Sequence, residues 1–277
     1  MSQIGFTRLA ATRVAAFVVV YALFGLLIPI QGSVTASFAI GTVVTAVLYS
    51  VTLYYLNTNM PLGRRARFLI TWLAVYVIQM LMPVLEGVFF STQFAGAPEL
   101  VFGALIFGWI LVLPTALAGT LLFRPTDAIR SFGEMRKEYF ARMNAQQFAG
   151  RYVVSSAMWM VIYFVFGSIV APFVLPYYTA GGVGYELVVP ELHVILVLQL
   201  IRGFILVLMI LPLIMSINLD WKHLAIVLAA LLYVGGAVAI FLISDQFPLV
   251  LRMFHGVEML ADASVAGVVI AYILGKK

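Results

Sequence analysis

Residues 192–215, LHVILVLQLIRGFILVLMILPLIM, form an apolar stretch interrupted by one formal charge, Arg202. A helix needs about 20 consecutive apolar residues to cross the hydrocarbon core of a bilayer, and this stretch is long enough. Other stretches along the chain have the same character. The predicted spans are residues 14–31, 36–56, 67–86, 100–122, 152–173, 192–215, 223–243 and 251–274.

The composition of the 277-residue chain agrees with residence in a bilayer. Hydrophobic residues make up 64% of the chain and charged residues 10%, and the mean hydropathy is +1.11. A water-soluble domain would carry roughly 25% charged residues. The first span is too long for the apolar core of a cleavable signal peptide, so we expect it to be retained. The sequence therefore predicts an all-α membrane protein with about eight transmembrane helices.

Basic residues lie at alternate junctions between the predicted spans. They are Arg8 and Arg13 before span 1, Arg64, Arg65 and Arg67 after span 2, Arg124, Arg130, Arg136, Lys137, Arg142 and Arg151 after span 4, Lys222 after span 6, and Lys276 and Lys277 at the end. The junctions between them contain no Lys or Arg, apart from Arg252 at the edge of the last. Because cytoplasmic junctions are rich in Lys and Arg, we predict that both termini are cytoplasmic and that the protein lies in the cell membrane. The net charge of +5 is then explained by contacts with the lipid bilayer, and no nucleic-acid partner is implied.

Two halves of four spans each flank the long basic junction. Residues 65–77 (RARFLITWLAVYV) align with residues 222–234 (KHLAIVLAALLYV). An even number of spans per repeat would give two parallel repeats, related by an axis along the membrane normal. A chance resemblance between hydrophobic helices is the alternative. The predicted division is an N-terminal four-helix half at 1–123, a cytoplasmic amphipathic connector at 124–150, and a C-terminal four-helix half at 151–277.

The connector sequence predicts a helix that lies along the inner membrane surface. Pro125, Thr126 and Asp127 form a helix start signal. Apolar residues then recur at helical spacing, at Ile129, Phe132, Met135, Tyr139 and Met143. Such an amphipathic pattern is typical of an interfacial helix.

Polar and ionisable side chains within the spans are concentrated in the C-terminal half. Span 6 contains Gln199 and Arg202, with Glu191 and His193 at its outer end; span 8 contains Arg252, His255, Glu258 and Asp262; Glu86 lies at the outer end of span 3. Ionisable groups inside a bilayer are costly and mark candidate functional sites.

Arg202 and Asp262 lie at the same predicted depth. Each follows the outer end of its span by about 11 residues, or about 16 Å at 1.5 Å per residue. Because an unpaired charge in hydrocarbon costs several kcal/mol, we expect an Arg202–Asp262 ion pair and contact between spans 6 and 8. His255, Glu258 and Asp262 share one helix face, and Gln199 can face them from span 6. The predicted site is an outward-open polar cavity that the ion pair closes near the membrane centre.

The principal functional prediction is a multi-pass transporter for a small solute or ion, without a cofactor. Secondary transporters bind their substrates near the bilayer midplane. Arg202 would hold an anionic group or the gate, and Glu258 and Asp262 would carry protons or cations. Gln199 and His255 would line the pathway. A homo-oligomer or a partner in a membrane complex is compatible with the same sequence.

Two alternatives come from other functional classes. One is an intramembrane metal- or haem-dependent enzyme, with Glu191, His193, His255 and Glu258 as candidate metal ligands, or the two histidines as haem ligands. The other is a non-catalytic subunit or scaffold of a membrane complex, in which the ion pair locks two helices. Other chemistries are excluded: the chain has no Cys, no H-E-x-x-H motif and no P-loop motif, and no predicted span contains a Lys.

Overall fold

The computed structural model describes residues 8–27, 35–91, 97–179, 187–243 and 247–275. This part of the chain is 86% helical and contains no β-strand. Eight of its helices are long and apolar enough to cross a membrane. The protein is therefore an all-α, multi-pass integral membrane protein.

The eight spans follow the predicted order. Span 1 is Arg8–Leu27, span 2 is Ala36–Thr58, span 3 is Arg64–Phe90, span 4 is Pro98–Leu111 followed by Leu113–Leu122, span 5 is Ala145–Thr179, span 6 is Leu192–Ser216, span 7 is Trp221–Tyr233 continued by Val234–Leu242, and span 8 is Leu249–Leu274. Span 5 begins seven residues earlier than its predicted start at residue 152. Its first turn is polar and capped reciprocally: the Gln147 N–H donates to the Asn144 side chain at 2.8 Å, and the Asn144 N–H donates to the Gln147 side chain at 3.1 Å.

The junctions that carry the basic residues meet at one end of the bundle. The Thr126 N–H donates to the Thr58 carbonyl at 3.0 Å, and the Asn218 N–H donates to the Asn59 carbonyl at 2.7 Å. The junctions after spans 3 and 5 meet at the opposite end through a backbone hydrogen bond of 3.0 Å. The basic face is defined here as the end that holds residues 59–63, 123–144 and 217–220. Its assignment to the cytoplasm stays a prediction.

The packing of the spans is similar in the two halves. In each half the first span packs against the second and the fourth, and the third packs against the fourth. Between the halves, span 3 packs against span 6, and span 7 packs against span 2. A twofold relation between four-span repeats would produce this pattern. It supports the predicted duplication, which stays a prediction.

Spans 3 and 7 each contain a π-helical segment. The segments are Val77–Leu81 and Val234–Leu242, and they contact each other across the interface between the halves. They follow Tyr76 and Tyr233, which the alignment of residues 65–77 with 222–234 places at equivalent positions. π-Helical segments within α-helices are frequent at functional sites.

The two π segments approach closely beside a buried polar contact. The Tyr49 hydroxyl donates a hydrogen bond of 2.9 Å to the Gln79 side-chain carbonyl. A Cβ atom on Gly235 would lie 2.9 Å from that hydroxyl and 2.9 Å from the Ile78 side chain. The absence of a side chain at Gly235 therefore permits the contact between the halves.

The connector differs from its prediction. Its helix is limited to Phe132–Phe140, and it begins at a capping box in which Ser131 and Glu134 satisfy each other's backbone N–H groups. Met135 and Tyr139 are each 1% exposed and pack into the protein core rather than facing lipid. The Tyr139 hydroxyl also donates to the carbonyl of Leu274 at 2.9 Å. The apolar face of the connector therefore holds the basic face of the bundle together.

Gly267→Ala is expected to destabilise the contact between spans 7 and 8. A Cβ atom at this position would lie 2.7 Å from the Ala229 backbone nitrogen and 2.8 Å from the Ala225 carbonyl oxygen. Because backbone atoms cannot rotate away, we expect a loss of about 1–3 kcal/mol in unfolding free energy. Gly103→Ala is the matched control, since nothing lies within 4 Å of its Cβ position. Unfolding in detergent micelles, followed by tryptophan fluorescence, should show a lower midpoint for Gly267→Ala alone.

Candidate functional site

The predicted pathway residues of spans 6 and 8 are buried inside the protein. The exposed fractions are 0% for Gln199, 5% for Arg202, 6% for Glu258 and 8% for Asp262. The His255 side chain is 20% exposed and lies nearer the end of span 8 that is opposite the basic face. These side chains face neighbouring helices rather than lipid, as the cost of charge in hydrocarbon requires.

Arg202 pairs with Glu86 of span 3, and the predicted Arg202–Asp262 ion pair is wrong. The Arg202 Nη2 atom lies 3.0 Å from Glu86 Oε2, and Nη1 donates to Gln199 Oε1 at 2.9 Å. Asp262 takes part in no ion pair among the described side chains. The polar cluster is therefore defined as Glu86, Gln199, Arg202, His255, Glu258 and Asp262.

The position of span 5 explains the incorrect pairing. Span 5 packs extensively against both span 6 and span 8, whereas spans 6 and 8 make marginal contact. Equal depth on two helices does not bring side chains together when a third helix lies between them. The long Arg202 side chain reaches span 3 instead. The signal in the sequence was the acid in MPVLEGVFF at 82–90, since Glu86 is a further ionisable group within a predicted span.

Trp159 of span 5 belongs to the same site, and the sequence analysis missed it. Its indole N–H donates to Gln199 Oε1 at 3.2 Å, and its ring centroid lies 5.9 Å from the Arg202 guanidinium carbon. The second contact has cation–π geometry. Gly203 permits it, because a Cβ atom there would lie 2.9 Å from Trp159 Cβ. Gln199 Nε2 and Arg202 Nε have no acceptor in the described part of the protein.

His255 and Glu258 form the part of the cluster that lies farthest from the basic face along span 8. The His255 Nδ1 atom lies 2.7 Å from Glu258 Oε2, and His255 Nε2 lies 3.2 Å from the Tyr178 hydroxyl of span 5. A Cβ atom on Gly167 would lie 3.1 Å from Glu258 Oε1. Glu258 therefore points at span 5, where a glycine leaves room for its carboxylate.

Asp262 lies one turn further along span 8 from Glu258. Its Oδ1 atom is buried and has no hydrogen-bond partner among the residues that the structure describes. The carboxylate interacts through space with Glu258, Glu86 and Arg202. The charges of spans 3, 6 and 8 therefore influence one another. Glu86 pairs with Arg202, and Glu258 contacts His255, as two separate groups.

The polar cluster is closed in the described conformation. Its four most buried members are at most 8% exposed. In this conformation the four side chains do not line an outward-open cavity, and the cavity that the sequence predicts stays a prediction. Glu86 and His255 are the most exposed members of the cluster, with side chains 31% and 20% exposed.

The four predicted metal ligands do not converge on one site. The His193 Nδ1 atom lies 3.2 Å from Glu191 Oε2, and both side chains are at least 75% exposed. Within the described ranges no group of three or more His, Asp or Glu side chains is arranged to hold a metal ion. The described geometry therefore gives the predicted metal site no support, and the metal, haem and scaffold alternatives stay predictions.

Comparisons with known protein families, with characterised proteins and with solved structures find no match to this chain. The polar cluster and its surroundings are therefore the basis on which a function is inferred. The eight long apolar helices of the described part establish the class of the molecule, a multi-pass integral membrane protein.

Proposed function

We propose that the protein is a membrane transporter that is driven by, or carries, protons or small cations. Glu258 and Asp262 are the groups that take up and release the cation. In this proposal the protein lies in the cell membrane with its basic face and both termini in the cytoplasm. The observation that carries the proposal is the excess of carboxylates in the polar cluster.

The polar cluster contains more acids than bases. Three carboxylates, on Glu86, Glu258 and Asp262, face one guanidinium, on Arg202, and one imidazole, on His255. Even with a protonated imidazole, one negative charge is left over. A buried carboxylate without a counter-charge has to bind a proton or another cation. Reversible loading of that carboxylate is what a cation-coupled transporter requires.

The arrangement along span 8 provides a route from the outer end to the unpaired carboxylate. His255 is partly exposed, its Nδ1 atom contacts Glu258 at 2.7 Å, and Asp262 follows after one further turn. Histidine gains and loses a proton near neutral pH and is therefore suited to the entry of such a route. The burial of Glu258 and Asp262 keeps the loaded form away from water.

The Glu86–Arg202 ion pair joins the two halves of the protein. Glu86 belongs to span 3 and Arg202 to span 6, and the two π segments contact each other at the same interface. Arg202 Nε and Gln199 Nε2 have no acceptor in the described part of the protein, so each can donate a hydrogen bond to a carboxylate or another anionic group of a solute. Rocking of one half against the other would alter this pair, as alternating access between repeats requires.

The proposal is tested by cation flux in reconstituted liposomes. Purified protein is placed in vesicles that contain a pH-sensitive dye, with the potential clamped by valinomycin and K⁺, and uptake of labelled Na⁺ is measured in parallel. We expect the wild type to exceed empty vesicles for protons or for Na⁺. Glu258→Gln is expected to reduce the flux to that of empty vesicles. An amide does not bind a proton in this pH range and has no negative charge to bind Na⁺.

The matched control for this experiment is Glu99→Gln. Glu99 is exposed at the outer start of span 4 and is not a member of the polar cluster. Its substitution by Gln therefore removes the same charge without changing the cluster. The control should transport at the wild-type rate. Wild-type vesicles that behave like empty vesicles with both cations, or a fully active Glu258→Gln variant, would rule out the proposed role.

A further inference from the structure

A second site of opposite charge lies at the basic face, between the start of span 3 and the end of span 4. A cavity of about 410 Å³ opens there, lined by Arg64, Arg67 and Arg124. Asp127 also lines the cavity, but its Oδ2 atom accepts a hydrogen bond of 2.8 Å from Asn218. The lining therefore carries three formal positive charges against one negative charge.

Arg67 forms the base of this cavity and is 3% exposed. Its Nη1 atom donates to the Phe123 carbonyl at 2.6 Å, and Nη2 donates to the Thr120 carbonyl at 3.3 Å. These carbonyls belong to the end of span 4, where the helix dipole is negative. The Nε atom of Arg67 is buried and has no acceptor among the described residues. Backbone dipoles, rather than a carboxylate, therefore hold this charge in place.

The other two arginines are available to a ligand. Arg64 and Arg124 are exposed, and neither takes part in an ion pair within the described ranges. Arg130 lies beside a neighbouring cavity but pairs with Glu138 at 2.8 Å. That pair, reinforced by Arg142, holds the pKa of Glu138 below its usual value. The start of span 3 adds further positive character, because Gly63 provides no side-chain cap for its first N–H groups.

The lining also contains apolar side chains beside the arginines. Leu121 is 45% exposed and Ile129 is 68% exposed, and both line the cavity. The cavity lies where span 3 begins and span 4 ends, which is the level of the lipid headgroups. A ligand with a phosphate next to an acyl chain would satisfy both parts of this lining, whereas a soluble anion would satisfy the arginines alone.

We propose that this cavity binds a phosphate group, supplied by the headgroup of an anionic membrane lipid. Arg64 and Arg124 bind the phosphate oxygens from two sides, since a guanidinium group can donate two parallel hydrogen bonds to such an anion. Arg67 sets the positive potential at the base of the cavity. The acyl chains lie against Leu121 and Ile129. The site is separate from the polar cluster and does not depend on the transport proposal.

Native mass spectrometry of the detergent-purified protein tests the site. The protein is titrated with phosphatidylglycerol and, separately, with phosphatidylcholine. We expect phosphatidylglycerol to bind at least tenfold more tightly to the wild type. The variant Arg64→Gln/Arg124→Gln should lose most of this preference, because both phosphate ligands are gone. Arg67 is left unchanged because it satisfies the carbonyls at the end of span 4.

The matched control is Arg136→Gln/Lys137→Gln. These residues are exposed on the connector helix and outside the cavity, so the variant loses the same charge at the same face. Its lipid preference should equal that of the wild type. An equal loss of preference in this control would show a diffuse charge effect and would overturn the proposal.

A second arm distinguishes lipid from free phosphate. Thermal unfolding is measured with and without inorganic phosphate, at constant ionic strength. Stabilisation of the wild type but not of Arg64→Gln/Arg124→Gln, without any preference between the lipids, would keep the phosphate site and assign it to a soluble phosphate. Equal binding of both lipids together with no response to phosphate would overturn the site.

Discussion

Glu86→Gln is expected to destabilise the folded protein by about 3 kcal/mol, because it leaves the Arg202 guanidinium buried without a counter-charge. The Arg202 side chain is 6% exposed, and its other partners are the neutral Gln199 and the ring of Trp159. Neither can replace a carboxylate. The measurement is the unfolding free energy in mixed micelles, with the denaturing detergent as the titrant.

Arg202→Gln should cost less than Glu86→Gln. The Glu86 side chain is 31% exposed, so a carboxylate left alone there can be hydrated or can bind a proton. The double variant Glu86→Gln/Arg202→Gln removes both charges, and we expect it to be more stable than Glu86→Gln. This order follows from the unequal burial of the two partners.

The control for the ion-pair series is Glu99→Gln, which removes an exposed acid at the same face and should leave stability unchanged. Equal stabilities for Glu86→Gln and the control would contradict the ion pair. If the double variant keeps full transport activity, the ion pair has no role in transport and serves only to hold spans 3 and 6 together.

Asp262→Asn is expected to abolish transport without destabilising the fold. A positioned group that transfers protons typically contributes about 10²–10⁴-fold to a rate, so we expect a loss of flux of about 100-fold or more. The unfolding free energy should be unchanged or higher, because Asp262 Oδ1 has no hydrogen-bond partner among the described residues and makes no ion pair there. A residue that is needed for activity often lowers the stability of the folded protein.

The two readouts separate the functional and structural roles of Asp262. Flux is measured in the dye-loaded vesicles, and stability in the same micelles as the ion-pair series. Ser264→Ala, an exposed position on the same helix, is the control for both. A clear loss of stability in Asp262→Asn with proportionate loss of flux would make Asp262 a structural group and would contradict its role as the cation carrier.

The spans and their alternating junctions were predictable from the sequence. Hydropathy is a local property, and the cost of exposing backbone groups to lipid makes a long apolar stretch helical whatever its neighbours are. The connector was less predictable. Its apolar residues Met135 and Tyr139 were identified, but the same periodicity suits a lipid surface and a protein surface, and here they pack into the protein core.

The burial of Arg202, Glu258 and Asp262 was likewise foreseeable, because desolvation penalises each charge separately wherever it lies in the bilayer. The partner of Arg202 was not. Depth along a helix follows from residue number, but the rotation of each helix and the order of its neighbours follow from interhelical packing at positions such as Gly203. Because of that packing, span 5 lies between spans 6 and 8, Arg202 pairs with Glu86, and Asp262 is the carboxylate without a counter-charge within the described ranges.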